Sequence, residues 1–159
     1  MSSLAPITFE CRRETTVSLT EIVDNILVPE TWVTFTGWGP LPGIRTAKIE
    51  HRTPDLEGTR FRVISTNGDT HAETIIRWES DRVLEVRMDE FPSPLNRMAT
   101  HFIERWSTVG NLMTAGHHTV VRSFELHPKR RAARPFLRLI GFMMRRAVNR
   151  HSAAVLAPA

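Results

Sequence analysis

A long amphipathic segment near the C-terminal end follows an almost unbroken series of strand-type segments. In residues 134–156, Leu137, Ile140, Met144 and Val148 recur every three or four positions, which predicts a helix of roughly 20 residues. An apolar helix face of this kind either packs on a sheet or lies on a membrane surface. The strands that precede it favour packing on a sheet.

The strand-type segments show apolar and polar side chains alternating with a period of two. They cover residues 7–13, 43–52, 59–66, 70–80, 82–91, 98–112 and 117–126. Asn67-Gly68 is a strong signal for a tight hairpin turn between two of them. A run of strands with the helices kept apart from it predicts an α+β fold.

Two short helices are predicted between the first and second strands. Ser18 and Glu21 have the spacing of a capping box for the first helix, and Pro29 suits the first turn of the second. The loop GWGPLPGI (37–44) ends this region, because its prolines are excluded from helix interiors and central strands. The loop is either a corner between two elements or the rim of a cavity.

Length and composition predict one domain over residues 1–159, with its core at about 7–155. Cys11 is the single cysteine, which excludes an internal disulfide and a multi-cysteine zinc site. No spacing typical of a metal or dinucleotide site occurs, so we expect no metal and no cofactor. We see neither a signal segment nor an apolar run long enough for a membrane helix. We therefore expect a cytoplasmic monomer or homodimer without integral membrane association.

The formal net charge is +4, and the basic residues are spread along the chain except for KRRAAR (129–134). Such a cluster is either a solvated stretch before a helix or a contact for phosphate or anionic lipid. We expect no nucleic-acid partner.

The order of segments resembles the START/polyketide-cyclase superfamily, also called SRPBCC or the helix-grip fold. The likeness rests on Trp32 followed by GPLPGI, and on the stretches EGTRFRV, NGDTHAETIIRW, FIERW and HHTVVRSFEL before the long helix. The resemblance implies a curved antiparallel sheet of about seven strands around the C-terminal helix, with two short helices after strand 1. It also implies an apolar cavity between sheet and helix that takes lipids, polyketides or similar hydrophobic molecules.

Alternation along the strands predicts which side chains face that cavity. We expect the ligand to contact Trp32, Trp38, Leu41, Phe61, Val63, Ile76, Trp78, Val86, Met88, Phe102, Trp106, Val120, Phe124, Ile140 and Met144. Glu73 and Arg77 are predicted to face solvent unless a β-bulge reverses their strand.

Three polar residues share the inward parity and are candidates for catalysis: Glu104, Arg122 and His118. A buried carboxylate needs a partner, so a Glu104–Arg122 pair is expected. With His118 nearby, the pair either orients a polar group of the ligand, transfers a proton, or is purely structural.

Three functions remain open from the sequence. The first is a carrier or sensor for a small hydrophobic molecule. The second is a cyclase- or aromatase-like enzyme, in which Arg122 holds an enolate or carboxylate and Glu104 or His118 serves as acid or base. The third is a partner of proteins or of anionic surfaces that uses KRRAAR and the outer arginines.

Overall fold

The protein is described by a computed structural model that covers residues 3–110 and 116–157. Strand β1 (Ile7–Thr15) is followed by helix α1 (Leu19–Ile26) and a 3₁₀ helix (Pro29–Thr34). The remaining elements are β2 (Ile44–His51), β3 (Arg60–Ser65), β4 (Thr70–Glu79), β5 (Val83–Asp89), α2 (Leu95–Met98), β6 (Ala99–Gly110), β7 (His118–Pro128), a 3₁₀ turn (Arg131–Ala133) and α3 (Arg134–Val155).

The strands form one seven-stranded antiparallel sheet in the order β1-β7-β6-β5-β4-β3-β2. The sheet curves around α3, so the predicted fold class is confirmed. The predicted turn at Asn67-Gly68 joins β3 to β4, and Gly68 has the positive φ of 91° that favours glycine. The end of the predicted strand at 111 and 112 lies outside the described residues.

The two short helices lie where the sequence placed them. The Glu21 amide donates to Ser18 Oγ at 3.1 Å, and the Ser18 amide donates to Glu21 Oε2 at 2.7 Å, which completes the predicted capping box. The second helix is a single 3₁₀ segment, held by Trp32, whose Nε1 donates to the Ile26 carbonyl at 2.9 Å. The bonds of this segment fix the Trp32 ring over Phe61, with ring centroids 4.8 Å apart.

The GWGPLPGI loop folds into a tight turn. Trp38 and Leu41 exchange backbone hydrogen bonds of 3.0 and 2.9 Å. Gly37 has a φ of 74°, and a Cβ at this position would lie 2.3 Å from the Leu41 carbonyl oxygen. The turn therefore requires glycine at this position, and its shape is fixed by backbone contacts.

Helix α3 packs mainly on β1 and β7, at one edge of the sheet. Buried Leu137, Gly141 and Val148 lie on its inner face, and an added Cβ at Gly141 would touch Leu126 at 3.4 Å. Among the described residues, no helix has the length and apolar character needed to cross a membrane.

Candidate ligand-binding cavity

A cavity of about 650 Å³ lies between the inner face of the sheet and α3. Its wall combines side chains from strands β3 to β7 and from helices α1 and α3 with the 3₁₀ helix and the 37–44 loop. Of the predicted contact residues, the wall includes Trp32, Leu41, Phe61, Val86, Met88, Phe102, Trp106, Phe124, Ile140 and Met144.

Five predicted contact residues do not line the cavity. Val63 and Val120 face inward, but neighbouring side chains cover them completely. Trp78 packs on the core cluster that contains Leu84, and Trp38 lies outside the cavity against Phe142 of α3, with ring centroids 5.7 Å apart. Ile76 is 41 % exposed.

A β-bulge explains the position of Ile76. Ile75 pairs with Val86 and Arg77 pairs with Glu85, which leaves Ile76 as the extra residue on its strand. On the part of β4 that precedes the bulge, the side chains that face inward are therefore those of Ile75, Glu73 and His71. The expectation that Glu73 faces solvent is wrong for this reason, because Glu73 lines the cavity between Phe61 and Met88.

Glu104 and Arg122 meet inside the cavity wall. Arg122 Nε and Nη2 both donate to Glu104 Oε1, at 3.1 and 2.8 Å. Their side chains are only 5 % and 8 % exposed, for Arg122 and Glu104 respectively. The two residues are diagonal neighbours on β6 and β7, since Trp106 is the direct partner of Arg122.

Arg122 has further partners on the helix. Its Nη1 donates to His151 Nδ1 at 2.9 Å and to Ser152 Oγ at 3.1 Å. The guanidinium carbon lies 3.9 Å from the centroid of the Trp106 ring, which is the geometry of a cation–π contact. The arginine is thus held by the sheet on one side and by α3 on the other.

His151 is the histidine that joins the pair. Burial, reinforced by the charge of Arg122, lowers its pKa from 6.5 to about 3, so the imidazole is neutral at pH 7. Since Nδ1 accepts from Arg122, the remaining proton is on Nε2, which lies 3.1 Å from Thr34 Oγ1. Thr34 in turn donates to the Thr31 carbonyl at 2.8 Å, so the chain of bonds ends on the 3₁₀ helix.

Burial also changes the acidity of Glu104. Desolvation raises the pKa of its carboxyl above the ordinary value, while attraction and hydrogen bonds from Arg122 oppose that rise. The nearby charge of Glu73 acts in the same direction as burial. Glu73 Oε1 itself lies 2.9 Å from His71 Nε2.

His118 does not join the pair. Its Nε2 lies 2.7 Å from the Val17 carbonyl, to which it donates, so it ties β7 to the turn before α1. His118 shares the parity of Arg122, but it is the first residue of β7, four positions from Arg122. The prediction that His118 lies beside the pair is therefore wrong.

Sequence reasoning missed four polar residues of the cavity: His71, Glu73, His151 and Ser152. A signal existed for the last two, because the helical stripe through Met144 and Val148 continues at the same spacing to 151 and 152. His71 and Glu73 were hidden by the bulge at Ile76, which alternation alone does not reveal.

Within the described ranges, no group of three or more His, Cys, Asp or Glu residues could hold a metal ion. Cys11 is buried, and burial raises the pKa of its thiol, which suits an unreactive side chain.

A seven-stranded antiparallel sheet around a long C-terminal helix defines the helix-grip fold. A scan against protein-family models and a search of curated proteins found no match to the sequence. Solved structures do match over nearly the whole chain. A START superfamily protein from Mycobacterium smegmatis has a TM-score of 0.64 at 12% identity, covering 94% of this chain and 96% of that one.

Two further solved structures show the same architecture. The major latex-like protein 151 of Panax ginseng has a TM-score of 0.63 at 11% identity, covering 97% of this chain and 99% of its own. Ara h 8.0201 has a TM-score of 0.57 at 11% identity, with coverages of 90% and 94%. The resemblance to the START superfamily is confirmed at the level of the fold.

Proposed function

We propose that this protein binds a small hydrophobic molecule in the cavity, as a carrier or sensor. The observation that supports this is a space of about 650 Å³ walled mainly by apolar side chains, with a few polar groups that include the Arg122 cluster and Glu73 with His71. Ligand sites in proteins have volumes of about 300–1,000 Å³ and this mixture of apolar walls and a few polar groups. The helix-grip fold of the three solved structures fits such a role.

The charged side chains of the cavity wall limit the kind of ligand that the cavity can bind. Asp69, Glu73 and Glu104 are acidic, whereas Arg122 is the one arginine that lines the cavity within the described ranges. Arg122 already donates to Glu104, His151 and Ser152. A ligand carboxylate would therefore meet a wall with an excess of negative charge, so the ligand is an apolar molecule with a neutral polar group.

A reaction in the cavity is the second candidate. It is favoured by the raised pKa of Glu104, because a buried carboxyl of this kind suits proton transfer. The four hydrogen bonds that Arg122 makes inside the protein oppose a role in holding an enolate or carboxylate. If turnover of a carbonyl substrate exists, Glu104→Gln should reduce its rate by ~10²-fold or more.

Native mass spectrometry of the purified protein tests the binding proposal directly, through the mass of a co-purifying apolar compound. The neutral fluorescent probe N-phenylnaphthylamine gives a second measurement. Ile140→Trp places an indole in the cavity and should abolish probe binding. Leu139→Trp, one residue away on the exposed face of the same helix, is the matched control and should leave binding unchanged. Equal binding by both variants would contradict the proposal.

A further inference from the structure

The arginines of the sheet and those of α3 differ in their partners. On the sheet, seven arginines form salt bridges with carboxylates: Arg12, Arg60, Arg62, Arg77, Arg87, Arg105 and Arg122. On α3, Arg138, Arg145, Arg146 and Arg150 are exposed and none forms a salt bridge with another described residue. The segment Arg134–Val155 contains no Asp or Glu.

The same outer face of α3 carries exposed apolar side chains. Leu139 is 55 % exposed and Phe142 is 50 % exposed. At 100° per residue, these two and the four arginines fall within an arc of about 140° around the helix axis. Phe142 lies near the middle of the arc, Arg146 lies between Phe142 and Leu139, and the other three arginines lie toward the two ends.

The 37–44 loop adds a tryptophan to this face. Trp38 packs edge-on against Phe142, and the Arg146 guanidinium lies 5.3 Å from the Trp38 ring and 4.9 Å from the Phe142 ring. We call Leu139, Phe142, Trp38 and the four arginines the outer face of α3. Lys129, Arg130 and Arg131, all exposed, extend its charge at the start of the helix.

We propose that the outer face of α3 docks this protein onto an anionic lipid surface. Exposed leucine and aromatic side chains bordered by arginines are the composition of a helix lying in a membrane interface, where the apolar groups insert and the cations meet lipid phosphates. A polyanion such as nucleic acid would contact the arginines but would leave Leu139 and Phe142 exposed to water, so it explains only half of the face.

The outer face of α3 lies on the side of the helix opposite the cavity. Phe136, Ile140 and Met143 of the same helix line the cavity, and Leu41 of the Trp38 turn does so too. A lipid surface on one side of α3 would therefore be separated from the cavity on the other side by the thickness of one helix.

Co-sedimentation with vesicles tests the proposal. Vesicles of phosphatidylcholine with phosphatidylglycerol should bind the protein, whereas vesicles of phosphatidylcholine alone should bind it weakly, and added salt should release it. Arg138→Gln and Arg145→Gln should each lower the partition coefficient about fivefold. The control Arg45→Gln/Arg82→Gln removes two exposed charges elsewhere and should have a much smaller effect than Arg138→Gln/Arg145→Gln.

The contribution of the apolar side chains to vesicle binding is tested with a separate variant. Phe142→Ser should lower the partition coefficient by about tenfold, and circular dichroism should show an unchanged fold, because the side chain is exposed. Binding that is equal on neutral and anionic vesicles would overturn the proposal. So would an effect of the control pair equal to that of the α3 pair, or retention on heparin without any vesicle binding.

Discussion

Replacing Arg122 by methionine is expected to lower the free energy of unfolding by about 3–5 kcal/mol at pH 7, the cost of leaving a buried charge without its partner. Glu104 is 8 % exposed and receives both of its Arg122 bonds on one oxygen. The substitution also removes the donor to His151 and Ser152. Methionine keeps the apolar stem of the side chain on the Trp106 ring, so the loss measures charge and hydrogen bonds more than packing.

Urea denaturation at pH 7, followed by circular dichroism, measures this effect. A loss of this size corresponds to a fall in the midpoint of about 2 M, for an m-value of about 2 kcal/mol/M. The control is Arg105→Met, because Arg105 lies on the same sheet and pairs with Glu85 on the opposite face, where its side chain is 45% exposed. Exposed pairs contribute at most about 1 kcal/mol, so this variant should be nearly neutral.

The double variant Glu104→Gln/Arg122→Met distinguishes the effect of losing the whole ion pair from the effect of leaving one buried charge without its partner. It removes both charges, so it should recover most of the stability that Arg122→Met loses. The loss in Arg122→Met should also shrink at acidic pH. In this variant the pKa of the unpaired Glu104 is higher in the folded state than in the unfolded state. The resulting loss of stability is therefore absent below the unfolded-state pKa and grows as the pH rises through the folded-state pKa. A loss below about 1 kcal/mol, or a double variant less stable than Arg122→Met, would refute the buried-pair argument.

Other predictions concern the helix, the loop and the ligand. His151 is neutral when folded but takes up a proton when unfolded below pH 6.5, so it lowers stability as pH falls from 6.5 toward 3. Urea denaturation of His151→Asn, which keeps an acceptor for Arg122, should show a pH dependence weaker by about 1.4 kcal/mol per pH unit. Gly37→Ala should lower the thermal midpoint clearly, because a Cβ there meets the backbone at 2.3 Å, whereas Gly39→Ala has open space and should cost less. In probe displacement, dodecanol should compete more strongly than dodecanoate, and the reverse order would contradict the neutral-ligand argument.

The fold was predictable because the local signals in the sequence and the larger pattern of its segments specify the same structure. Alternating segments, the Asn67-Gly68 turn and the Ser18 capping box all specify local structure, and the apolar stripe of α3 needs a sheet to cover it. The inward parity of β6 and β7 placed Glu104 and Arg122 together, because neither strand has an irregularity between the two residues.

The misplaced residues have two physical causes. One is the bulge at Ile76, which follows from how β4 must bend between β3 and β5 and leaves no mark on local alternation. The other is that a stripe defined by apolar side chains leaves out polar residues that continue it at the same spacing. His151 continues the stripe of Val148, yet a histidine at that position signals a buried partner on the facing sheet, and Arg122 is that partner.

The buried polar cluster also helps to keep the cavity open. Near Gly141, α3 packs directly on Leu126 and Phe9, but at Ser152 it is held through Arg122, whose guanidinium lies between Trp106 and the helix. An entirely apolar helix would gain free energy by settling onto the sheet and filling the space beneath Met144 and Val148. The arginine cannot be covered by apolar groups without losing its bonds, so it keeps this end of α3 at the distance its own side chain sets. Stability and cavity volume are therefore separable: the charge-free double variant can remain folded while its helix moves closer to the sheet and the space for a ligand shrinks.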